Sequence, residues 1–155
     1  MFIEKNLYKQ IVTYCPIPTV DIIFINEQHQ ILLCLRNNAP LKEVYYIPWG
    51  RIYKNETYYD ALKRKSKEEV SLDIDVNKLR FVKVYDDIFD NSAFWEVWEH
   101  CITLTFFYPL TRNEEKNIKI WDTQHTEYKF FDIHEEGLHD MIKTRIKDIK
   151  HLLNK

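Results

Sequence analysis

The stretch from Gly50 to Leu72, GRIYKNETYYDALKRKSKEEVSL, constrains this chain more than any other. It holds one of only two glycines in 155 residues, followed at fixed intervals by Glu56, Arg64 and the Glu68-Glu69 pair. Pro48 disfavours helix in the residue before it, so the glycine marks a strand-to-helix corner. Thr57 followed by Asp60 reads as a capping box that starts a helix. Nothing from Tyr58 to Val70 breaks that helix. On it, Arg64 and Glu68 lie one turn apart on one face, with Glu69 about 100° further round. Carboxylates on a helix beside a loop of backbone carbonyls suit a hard divalent cation such as Mg²⁺. A carboxylate pair alone is usually a solvated face; here the glycine corner and the arginine interval point the same way.

This spacing resembles the Nudix box: glycine, five residues, glutamate, seven residues, arginine, then a short acidic run closed by glycine and an aliphatic residue. Gly50, Glu56, Arg64, Glu68, Glu69 and Leu72 fit it. Three positions depart. Lys65 stands where the box has its first helical glutamate, Ser66 where it has an aliphatic residue, and Ser71 where it has glycine. Nudix enzymes that attack phosphorus normally use the glutamate that Lys65 replaces. The GDP-mannose mannosyl hydrolases lack it and attack carbon. The chain is similar to that subgroup beyond the box, through PTVDIIFIN, ILLCLR, YYIPWGRIYKNET, VYDDIFDN and DTQHTEYKF, spanning residues 2–133.

The residues themselves imply one domain. A chain of 155 residues with 45% hydrophobic content can bury one real core but not two comfortable ones. Net charge is −2 with signs interspersed. No basic stripe appears, which argues against duplex nucleic acid as a partner. Cys15, Cys34 and Cys101 form neither a metal spacing nor a disulfide framework. That pattern fits a reduced, cytoplasmic compartment. MFIEKNLYKQ is no signal peptide, and no segment approaches a membrane span.

In chain order, residues 2–13 form a short helix or arm with Phe2, Leu7, Ile11 and Val12 on its apolar side. The two prolines of Cys15-Pro16-Ile17-Pro18 then enforce an extended chain. Thr19–Ile25 and Gln30–Arg36 read as hairpin strands around Asn26–His29. Asn37–Glu43 is a loop, and Arg51–Tyr53 a short strand before the helix. Leu79–Tyr85 is a strand, Asp86–Ala93 a polar mobile loop, and Val97–Phe107 a long strand. Arg112–Lys116 has helical character, Trp121–Thr126 is a loop, and Glu127–Asp132 a strand. Between Glu135 and Leu153, Leu138, Met141, Ile142, Ile146 and Ile149 recur at helical spacing, which predicts a C-terminal docking helix. Hairpins without strict β-α alternation imply an α/β fold with a mixed β-sheet sandwiched between helices. The Nudix resemblance implies the same fold.

The resemblance also implies site roles. Glu69 is the retained metal carboxylate and Glu68 a weaker one. The Trp49 backbone carbonyl and Gln124 complete a Mg²⁺ site, with Mn²⁺ as an alternative. Trp49 replaces a glycine there, and a residue with a Cβ cannot cheaply reach positive φ. His125, next to Gln124, is the general base; its unperturbed pKa of about 6.5 leaves imidazole largely neutral at pH 7. Arg36 and Arg51 bear on the diphosphate and Asp21 on the sugar. Tyr85 and Asp87 belong to a stretch similar to the subgroup's loop over the nucleotide. Asp21 is notable without the family, because a charge in a buried-strand pattern needs a partner or a job. The implied activity is Mg²⁺-dependent hydrolysis of GDP-mannose or GDP-glucose to GDP and free sugar by a homodimer. Two alternatives stay open: a conventional pyrophosphohydrolase attacking phosphorus, and a degenerate nucleotide-binding domain.

Overall fold

The computed structural model describes residues 3–90, 92, 94, 96–120 and 125–153. Its elements are α1 (Lys5–Tyr14), β1 (Ile17–Ile25), β2 (Gln30–Arg36), β3 (Tyr45–Tyr46), β4 (Trp49–Arg51), α2 (Tyr58–Val70), a 3₁₀ turn (Val76–Lys78), β5 (Arg80–Phe89), β6 (Glu99–Pro109), α3 (Arg112–Lys116), β7 (His125–Asp132) and α4 (Asp140–Leu153). The strands join in one mixed sheet in the order β3-β2-β1-β6-β5, with β4 added to β1 and β7 to β2. β1 and β6 run parallel from Ile17↔Cys101 to Ile25↔Pro109. The other pairings are antiparallel.

β1 is apolar almost throughout because both its faces are covered. The period of two along a strand sorts its side chains. Val20, Ile22 and Phe24 join Ala61, Leu62 and Val70 of α2 in one buried cluster. Ile17, Ile23 and Ile25 join Ile142, Ile146 and Ile149 of α4 in the other. Each such isoleucine taken fully from water contributes roughly 1.5–3 kcal/mol, which is what holds α4 on the sheet. The box helix and the C-terminal helix therefore lie on opposite faces of the sheet.

The helix termini follow from short-range chemistry. Thr57 caps α2, accepting from the Asp60 N–H at 3.2 Å. Ser71 ends it in the left-handed region with φ 62°. A side chain there costs roughly 1 kcal/mol relative to the glycine of the box pattern. Part of that is offset where Ser71 Oγ donates to the Lys119 carbonyl at 2.9 Å. Ser66, in the aliphatic position of the box, is buried and donates its hydroxyl to the Leu72 carbonyl at 3.0 Å.

Several boundaries differ from expectation. The short strand before α2 is Trp49–Arg51 rather than Arg51–Tyr53, because Trp49, Gly50 and Arg51 pair with Asp21, Val20 and Thr19. Asp86–Phe89 are not loop; they continue β5 opposite Ile102–Glu99. His125 opens β7 opposite Arg36 instead of lying in a loop. Leu7 of α1 is exposed, while Val12, with the partly buried Tyr8 and Ile11, makes the helix's contact with the core. The C-terminal helix starts at Asp140, with Leu138 buried just before it. Phe2 lies outside the described residues.

Candidate active site

Gly50, Glu56 and Arg64 build the corner. The Arg64 guanidinium holds Glu56 through two bonds, Nε to Oε1 at 2.7 Å and Nη2 to Oε2 at 2.9 Å. Its Nη2 also donates to the Arg51 carbonyl at 2.9 Å, and the group lies 3.8 Å over the Tyr53 ring. Arg64 thereby ties the loop before α2 to β4. Its hydrogen bonds hold the Glu56 carboxyl below the usual carboxylate range.

A cavity of about 340 Å³ opens beside this corner, lined among others by Thr19, Arg36, Arg51, Arg64, Lys65 and Glu99. That volume lies within the range of small-molecule sites. Arg36 is aimed by its neighbours: Nε donates to the Pro40 carbonyl at 2.9 Å and Nη2 to Asn38 Oδ1 at 3.2 Å. The guanidinium lies 5.2 Å from the centre of the Trp49 ring. Arg51 sits 4.8 Å over Tyr8 of α1, so the N-terminal helix closes one side. The result is four cationic side chains on one cavity, an arrangement suited to a diphosphate. Glu99 is the buried acid facing them, and burial raises its carboxyl above the usual range.

Glu69 is fully buried behind this wall. Its Oε2 accepts from the Trp49 backbone N–H at 3.2 Å and lies 4.0 Å from His125 Nε2. Its Oε1 is ion-paired with the Lys65 ammonium. Lys65 Nζ also lies 3.3 Å from Glu68 Oε2, and Arg64 Nη1 reaches that same oxygen at 3.2 Å. Trp49 is in extended strand conformation and needs no positive φ, so its side chain is tolerated at the corner. Its indole supplies the platform under Arg36.

These contacts decide whether the expected Mg²⁺ fits. Mg²⁺ requires near-octahedral oxygen at about 2.0–2.1 Å. Glu69 and Glu68 already carry the Lys65 ammonium, and Trp49 meets Glu69 through its N–H. Among the described residues, no group of three or more His, Cys, Asp or Glu side chains is arranged to hold a metal ion. As folded, both carboxylates of the expected set are occupied by the Lys65 ammonium. Gln124, the remaining expected ligand, lies outside the described residues.

Three expected substrate contacts sit elsewhere. Asp21 is fully buried on the α4 face of β1, where Arg145 Nε donates to its Oδ2 at 2.8 Å. Arg145 Nη2 donates to Asp87 Oδ2 at 2.6 Å. Tyr85 donates to Asp148 of α4 at 2.7 Å, and its ring lies 4.5 Å from the Arg145 guanidinium. None of the three lines the cavity. Their charge and hydroxyl are taken up by α4; Asp21 and Asp87 are buried and Tyr85 is half-buried. Thr19 and Thr103 connect the two regions, 2.8 Å apart, with Thr103 donating to Asp87 at 2.7 Å. His125 is buried and is not among the cavity-lining residues; its strand partner Arg36 is. Glu99, Thr19 and Tyr8 were missed from sequence. Only the acid at the start of an apolar strand gave any hint of them.

The NUDIX domain family model matches residues 16–153. The chain belongs to the Nudix family. Among curated proteins it is 29% identical over 142 residues to the low-salt glycan biosynthesis protein Agl8 of Haloferax volcanii, covering 91% of this chain and 86% of that protein. Among solved structures it is similar to the NUDIX domain of NrtR from Shewanella oneidensis complexed with ADP ribose (TM-score 0.71, 16% identity, 97% of this chain and 99% of that one). It also resembles a bifunctional NMN adenylyltransferase/ADP ribose pyrophosphatase from Francisella tularensis complexed with AMP and a Mn ion. There the TM-score is 0.75 at 18% identity, covering 96% of this chain and 45% of that one. At such identity these structures share the fold. No helix among the described residues is long and apolar enough to cross a membrane.

Proposed function

We propose that this Nudix hydrolase cleaves a GDP-sugar of the GDP-mannose or GDP-glucose kind into GDP and free sugar. The observation that carries this reading is the cavity with Arg36, Arg51, Arg64 and Lys65 facing a buried Glu99. Cations suit the diphosphate, and a carboxylate suits sugar hydroxyls. The glycan-related name of the Haloferax relative agrees with a sugar-bearing substrate.

In this reading water attacks the anomeric carbon. The new C–O bond forms as the bond from that carbon to the diphosphate oxygen breaks. GDP leaves with the electron pair, and His125 takes the water's proton. Arg36 and Arg51 neutralise the departing diphosphate, a contribution of several kcal/mol at the transition state. The box position that would hold a carboxylate for attack on phosphorus is Lys65, which favours the carbon route over a conventional pyrophosphohydrolase. The ADP ribose pyrophosphatase named for the Francisella neighbour is what supports that second reading.

Incubation of the purified protein with GDP-mannose or GDP-glucose should release reducing sugar in step with GDP. Release of neither product across a panel of GDP-sugars would leave a nucleotide-binding domain as the better description.

A further inference from the structure

We propose that Lys65 is the resident cation of this site, holding Glu69 neutralised and excluding a divalent ion from the carboxylates of α2. Two independent observations place it there. Its ammonium is shared between Glu69 Oε1 and Glu68 Oε2, so it occupies the space between the two carboxylates. Its stem crosses the face of Gly50: a Cβ on that glycine would stand 2.7 Å from Lys65 Cε and 2.8 Å from Cδ. The corner glycine therefore does a different job from turning the chain. It leaves room for the lysine to run from α2 across β4 to the carboxylates.

The electrostatics fit a permanent occupant. The Lys65 ammonium contacts both carboxylates while its stem is packed in the wall of the corner. Glu69, with no exposed surface, needs a counter-charge at all times. A lysine supplied by the same helix one turn earlier meets that need without any ion from solution. The side chain also lines the cavity.

The test uses Mn²⁺ alone and needs no substrate, so it stands or falls separately from the GDP-sugar reading. Mn²⁺ binding is followed by electron paramagnetic resonance of the free ion, and thermal unfolding is measured with and without Mn²⁺. The proteins compared are the wild type, Lys65→Met and Lys65→Glu. Removing a positive charge from contact with the bound ion should tighten Mn²⁺ binding by about tenfold or more, with Lys65→Glu the tighter variant. Both variants should gain a Mn²⁺-dependent rise in Tm that the wild type lacks. Lys65→Met keeps the stem beside Gly50, so it separates charge from packing. Equal Mn²⁺ affinity in all three proteins, or no binding in any of them, would overturn the proposal.

Discussion

His125→Gln is expected to slow turnover by about 10²–10⁴-fold while leaving the fold intact, the usual worth of a positioned base. His125 opens β7 directly opposite Arg36, which lines the cavity and is proposed to hold the departing diphosphate. It is buried, with Nε2 4.0 Å from Glu69 Oε2. Glutamine retains bulk and a polar end but cannot accept a proton and hold it. The loss should fall on kcat rather than on KM, because the base acts only as the water attacks. Unchanged Tm alongside the slow rate separates chemistry from folding. Near-normal turnover in the variant would remove His125 from the role and shift attention to Glu99, the buried acid that does face the cavity.

Arg145→Met should destabilise the protein by about 3–5 kcal/mol, read as a lower midpoint of denaturant unfolding. Arg145 is almost fully buried and bridges Asp21 of β1 and Asp87 of β5. Removing it strands two carboxylates without a counter-ion inside the sheet–α4 interface. Asp21 already sits above the usual aspartate range because burial outweighs the attraction of Arg145. A carboxyl whose folded pKa is raised binds a proton more readily folded than unfolded, so lower pH favours the folded state for that group. The penalty of the variant, relative to wild type, should therefore shrink on acidification toward the pH where Asp21 protonates. Adding Asp21→Asn and Asp87→Asn to Arg145→Met should recover much of the loss, since replacing a whole buried ion set is far milder than breaking it. A loss below about 1 kcal/mol for Arg145→Met alone would show that α4 does not depend on this pairing.

The same residues show where sequence is legible. The Thr57 cap, the span of α2 and the Arg64–Glu68 pair are local, with partners at most one turn apart. Their chemistry could be read off the spacing. The apolar stripe of α4 was equally plain, because its core face repeats at helical intervals. Asp21 announced itself as a charge needing a partner, but that partner is Arg145, far along the chain. The same arginine makes Asp87 a buried strand residue, although its neighbours Asp86 and Asp90 read as a polar loop. No pattern in β5 reveals a counter-charge supplied by another element. Trp49 looked like a strained replacement of glycine; pairing with Asp21 in a strand removes the strain. Lys65 was visible as a departure from the box, but its path over Gly50 emerges only in three dimensions.

Hydrolysis of GDP-mannose in ¹⁸O-labelled water, with mass analysis of both products, reaches the central claim most directly. Attack at the anomeric carbon places the label in mannose and leaves GDP unlabelled. Label in a phosphate, with GMP and mannose phosphate as products, would contradict the account and make this a conventional pyrophosphohydrolase.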